Sequence, residues 1–88
     1  MTTRDRIIAK LNQGFAPTAL EVIDESHLHA GHAAHRPEGE THFRLHIVSA
    51  AFDGKTRIAR HRMINDTLAE ELAAGVHALA IHAKAPGE

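Results

Sequence analysis

The hydrophobic positions of this chain fall into two helical stripes and three alternating runs. Ile7, Ile8 and Leu11 recur at helical spacing, Phe15 extends their face, and Arg4, Asp5, Arg6 and Lys10 cover the solvent side. Thr2 with Asp5 three residues on forms a capping-box pattern, with Asp in place of the usual Glu or Gln. Gly14, followed by Pro17, is the expected stop of this first helix. Residues 19–26 read as a strand in which Leu20 and Val22 alternate with Glu21, although Ile23 shares the Glu21 face. Residues 41–49 form the clearest strand: Phe43, Leu45 and Ile47 point one way, His42, Arg44 and His46 the other. Ile64, Leu68 and Leu72 repeat every four residues and predict one helix over 55–74, ended by Gly75. A last strand is expected over 76–83, with His77, Leu79 and Ile81 facing the helices and Val76, Ala78, Ala80 and His82 facing away.

Two connections separate these runs. Residues 27–41 carry Gly31, Pro37 and Gly39 and read as an irregular loop. Asp53-Gly54 is a turn signal, read as the exit from the second strand into a connector, because the next segment is helical. The order is helix, strand, strand, helix, strand. The strand–helix–strand unit favours a parallel, right-handed crossover, and the first two strands can pair antiparallel. The expected fold class is α+β, with two helices on one face of a three-stranded mixed sheet. A chain of 88 residues makes a single domain over 1–88 with one small core. Its only aromatic residues are Phe15, Phe43 and Phe52, so that core must be largely aliphatic.

Composition narrows the chemistry. A net charge of -1 supplies no global field for nucleic acid or anionic membrane. No apolar run is long enough to span a bilayer, and the start MTTRDRIIAKL lacks an apolar signal core, so the expected location is cytoplasmic, with an organelle matrix after processing also permitted by the composition. There is no Cys, which excludes disulfides and any thiolate-held metal from this chain alone. Nine histidines are the feature that stands out. Four of them, His27, His29, His32 and His35, lie in the 27–41 loop, where neutral imidazoles can ligate a metal. A solvated polar loop accounts for any one of them, whereas the cluster favours binding. His77, leaving Gly75, reads either as a core histidine satisfied by a backbone carbonyl or as a ligand kept exposed at a strand end.

Lys55, Arg57, Arg60, His61 and Arg62 make a basic stretch able to touch phosphates, diluted at once by Asp66, Glu70 and Glu71. No catalytic signature is present: there is no nucleophile elbow and no glycine-rich phosphate loop, so the chain reads as a non-enzyme.

An ordered set of motifs resembles the BolA family. It runs Asp24-Glu25-Ser26-x-x-His29, Glu40-Thr41-His42-Phe43, Phe52-Asp53-Gly54, Arg60-His61-Arg62-Met63-Ile64, Leu68-Ala69-Glu70-Glu71-Leu72 and Val76-His77-Ala78-Leu79, nearly the whole chain. The resemblance implies a fold like the class II KH domain. It also implies partnership with a monothiol glutaredoxin of the C-G-F-S type, sharing a 2Fe–2S cluster to which the glutaredoxin and glutathione give thiolates. This chain would give His77 and a loop histidine, His29 or His32, with His27 and His35 in reserve. Free, it is expected to be monomeric, and with the glutaredoxin a heterodimer. Some members are associated with transcriptional control of cell shape and stress responses, which makes DNA, met through Arg60, His61 and Arg62, the alternative partner. A third option is metal buffering by the His-rich loop without any partner.

Overall fold

The computed structural model describes residues 2–26 and 41–88. Among these, helix α1 spans Thr3–Phe15, strand β1 Ala19–Asp24, strand β2 His42–Val48, helix α2 Arg57–Thr67, helix α3 Ala69–Ala74 and strand β3 Ala78–Lys84. A short 3-10 turn, Ala50–Phe52, follows β2. The expected loop over 27–41 lies, apart from Thr41, outside the described residues.

The capping box forms as expected. The Asp5 amide donates to Thr2 Oγ1 at 3.1 Å and the Thr2 amide to Asp5 Oδ2 at 3.2 Å. The stop differs. The helix runs through Gly14, and Ala16 takes the left-handed turn at φ 42°, its amide donating to the Asn12 carbonyl at 3.1 Å.

The three strands form one sheet in the order β1-β2-β3. β1 runs antiparallel to β2, and β2 parallel to β3, as the connections predict. Alternation on β2 places Phe43, Leu45 and Ile47 in the core, where they meet Ile7 and Leu11 of α1 and Ile64 of α2. Complete burial of such a side chain contributes on the order of 1.5–3 kcal/mol. Leu20 and Val22 add the inward face of β1, and Phe15 packs on Phe52 with ring centroids 5.1 Å apart.

The single helix expected over 55–74 is two helices. Leu68 leaves helical geometry at φ -101°, ψ 18°. The preceding Asn65, Asp66 and Thr67 are weak helix formers, and Thr67 Oγ1 donates back to the Met63 carbonyl at 2.9 Å. The break keeps Leu68 in the core and lets buried Glu71 accept from Lys10 Nζ at 2.9 Å, which ties α3 to α1. That bond holds the Lys10 ammonium above its ordinary pKa.

The last strand starts two residues later than expected. Gly75, at φ 137°, turns the chain so that Val76 enters the core and His77 faces solvent before β3 begins. His77 therefore does not share the inward face of Leu79 and Ile81. Periodicity assigned it there because it extended the alternation of β3 through a turn where pairing has not started.

Candidate functional site

The exposed His77 sits where β3 meets the entrance of β2. Its amide donates to the Thr41 carbonyl at 2.7 Å, and the Ala78 amide shares the same acceptor at 3.2 Å. Thr41 is held by Ser26, which is 2% exposed. Ser26 Oγ accepts from the Thr41 amide at 2.8 Å and from the His42 amide at 3.2 Å. The Ser26 amide in turn donates to Asp24 Oδ1 at 2.9 Å, and the Glu25 amide to the His42 carbonyl at 2.8 Å. This hydroxyl knot fastens Ser26 and Thr41, the described residues that flank the 27–40 segment, to each other and to the backbone of His77. The predicted loop ligands His29 and His32, and the reserves His27 and His35, lie in that segment, outside the described residues.

The knot adds a histidine that sequence reasoning left as an outward strand residue. The His42 ring lies 6.2 Å from that of His77, between centroids, at 42°. Thr41 Oγ1 is 2.8 Å from His42 Nδ1. If the hydroxyl accepts from Nδ1–H, Nε2 becomes the acceptor nitrogen, the tautomer a metal requires there. The usable signal was the parallel register, which pairs His42 with Ala78, one residue after His77. No group of three or more His, Cys, Asp or Glu side chains converges as a metal cage among the described residues.

The predicted basic triplet divides. Arg60 and His61 line a groove of about 380 Å3 together with Lys55, Arg57 and residues 81–84 of β3, whereas Arg62 is exposed outside it. Arg60 is already engaged. Its Nε donates to the Lys55 carbonyl at 3.0 Å and Nη1 to the Ala83 carbonyl at 3.2 Å. Nη1 and Nη2 also grip the Glu88 carboxylate at 2.6 and 2.7 Å. That grip, with the Ala85 amide, holds the Glu88 carboxyl down at about 2.

On the open face of the sheet, His46 and His82 occupy paired positions and stack at 4.5 Å, with 6° between their planes. Arg44 Nη1 is 2.9 Å from His82 Nε2, and Arg44 Nε pairs with Glu25 at 2.9 Å. Partial desolvation, then the neighbouring His46, Arg44, Arg57 and His61, push the His82 imidazole below its ordinary pKa.

Residues 11–88 match the family model described as BolA-like protein. The chain belongs to the BolA family. It is 54% identical over 87 residues to SufE-like protein 1, chloroplastic/mitochondrial, of Arabidopsis thaliana, covering 94% of this chain but 24% of that longer protein. It is 49% identical over 83 residues to the DNA-binding transcriptional regulator BolA of Escherichia coli (strain K12), covering 93% of this chain and 74% of that one. The solved BolA domain of SufE1 from Arabidopsis thaliana superposes with a TM-score of 0.88 at 50% identity, over 98% of this chain and 94% of that one. The BolA domain structure agrees with the α+β reading. Among the described residues, no helix is long and apolar enough to cross a membrane.

Proposed function

We propose that this BolA-family chain is a non-enzymatic adaptor that shares a 2Fe–2S cluster with a monothiol glutaredoxin and glutathione in iron–sulfur trafficking or iron and redox sensing. The observation that supports the reading is the placement of His77, an exposed residue whose backbone is pinned to Thr41, the residue that follows the His-rich 27–40 segment in the chain. Its donor set suits a shared group better than a resident one. The chain has no Cys, so any thiolate ligands must come from a partner. His77 would hold the cluster with one of His29 and His32. When bound, the cluster supplies one-electron chemistry at a potential that imidazole ligation raises above all-thiolate values.

What the chain itself contributes is orientation and proton sensitivity. The Thr41 carbonyl fixes the His77 backbone, and a ligating imidazole must be deprotonated, so metal binding there competes with the proton. The test is a titration of cluster-loaded monothiol glutaredoxin with this protein, followed by visible absorption and circular dichroism. A new spectrum saturating near one-to-one and lost in His77→Ala is expected. A spectrum identical to that of the glutaredoxin alone overturns the reading.

A second reading is motivated by the name of the Escherichia coli relative, a DNA-binding transcriptional regulator. In this chain Arg60 holds Glu88 as well as two backbone carbonyls, so the phosphate contacts open without displacing Glu88 are those of Lys55, Arg57, His61 and Arg62. Binding to duplex DNA should then weaken steeply with salt, and the double substitution Arg57→Glu, Arg62→Glu should abolish it. Binding that is indifferent to both salt and substitution would exclude these contacts.

A further inference from the structure

The cationic groove lies at the opposite end of β3 from His77, roughly 20 Å away at the ordinary rise of a strand. Lys55, Arg57, Arg60 and Lys84 bring four permanent positive charges to its walls. Among the described residues, neither Lys55, Arg57 nor Lys84 makes an ion pair, whereas Arg60 holds Glu88. The floor is apolar where Ile81 and Ala83 lie beneath the charges. β3 is an edge strand of the sheet, and edge strands accept extended segments.

Arg60 is held in place twice over. The Lys55 and Ala83 carbonyls fix its Nε and Nη1 independently of Glu88. Releasing Glu88 would therefore leave a guanidinium already oriented, with Nη2 and the outer side of Nη1 presented to the groove. A planar two-oxygen anion on a peptide is what the structure shows seated there. The Arg60 side chain is 12% exposed and that of Glu88 46%, so the carboxylate is the part open to exchange.

We propose that the groove between α2 and β3 binds an acidic, extended peptide segment of a partner protein, and that Glu88 is its internal competitor for Arg60. A partner carboxylate takes the place of Glu88 on the guanidinium, further carboxylates meet Lys55, Arg57 and Lys84, and small apolar side chains rest on Ile81 and Ala83. The apolar floor beside the charges favours a peptide over a single-stranded nucleic acid, because no Phe, Tyr or Trp lines the groove as a stacking platform. This surface is separate from the His77 end and does not depend on cluster binding.

The test uses the whole chain and a fluorescein-labelled peptide of alternating Glu and Val, read by fluorescence anisotropy at low salt and by amide chemical shifts. Peptide binding that perturbs residues 81–84 is expected. Glu88→Gln should tighten it about three- to tenfold, the order of one exposed charge-assisted contact. Lys55→Glu and Arg57→Glu, both at exposed positions, should each weaken it by a similar factor, and His77→Ala should leave it unchanged. A thermal melt of each variant verifies folding. Equal affinity of wild type and Glu88→Gln overturns the competitor role. Shifts elsewhere on the surface, or tighter binding of duplex DNA than of the peptide at the same amides, overturns the peptide assignment.

Discussion

The two ends of β3 are fastened to the rest of the molecule by opposite kinds of chemistry. At the His77 end the clamp is neutral and buried: Ser26 and Thr41 exchange hydrogen bonds with each other and with the β2 backbone, and both are almost wholly withdrawn from water. At the Lys84 end the clamp is charged and open, Arg60 gripping a Glu88 whose side chain is half exposed. A buried hydroxyl cannot trade its partners for water, so its bonds persist whatever the solvent contains. An exposed ion pair can exchange one anion for another at little cost. The first arrangement suits a fixed side-chain position, and the second suits an exchangeable one.

The largest effect that would break this contrast comes from Ser26→Ala. It removes the acceptor of the Thr41 amide inside the core boundary, and leaving such a group unsatisfied costs about 1–3 kcal/mol. Urea unfolding should show that loss at both low and high salt. A loss that fades with salt, or none at all, would mean that water or a neighbour replaces the hydroxyl and that the clamp is not sealed. On the proposed adaptor reading, the same variant should also weaken cluster sharing with a glutaredoxin even though His77 is intact, because the backbone that orients it is loosened.

The scaffold that carries this contrast could be read in the sequence, whereas the two clamps could not, and the misses have a consistent cause. The β2 alternation and the antiparallel-then-parallel order followed from side-chain period and connection length, which are local properties. His77 went to the wrong face because an alternating pattern carries no mark of where pairing begins, and Gly75 sets that point through a positive φ. The break at Leu68 was hidden for a similar reason, since the four-residue repeat of Ile64, Leu68 and Leu72 continues across it while Asn65, Asp66 and Thr67 unwind the backbone beneath it. Arg60, His61 and Arg62 looked like one patch because they are consecutive. On a helix, adjacent residues point about 100° apart, so Arg62 leaves the groove, and Lys84 from a distant strand enters it. Glu88 gave no signal, because its partner lies 28 residues earlier and nothing in a tail sequence says which cation it will meet.

A smaller and opposite response sharpens the comparison at the charged end. Glu88→Gln should lower the thermal midpoint by only a few degrees, well below the effect of Ser26→Ala, and high salt should shrink the difference further. Its pH dependence has a definite sign. The Glu88 carboxyl sits at about 2 in the folded chain against an ordinary 4.5, first because Arg60 donates to it and then because the Ala85 amide does. The folded state thus binds fewer protons than the unfolded chain between these values, and the contribution of the pair is complete above about 4.5 and is lost as the pH falls toward 2. Wild type and Glu88→Gln should therefore differ in stability at neutral pH and converge in acid, while Ser26→Ala stays separated from wild type for as long as the fold survives. Convergence of Ser26→Ala as well, or a Glu88→Gln deficit that persists at pH 2, would show that the two clamps are not distinguished by charge and would remove the basis for treating Glu88 as an exchangeable occupant of the groove.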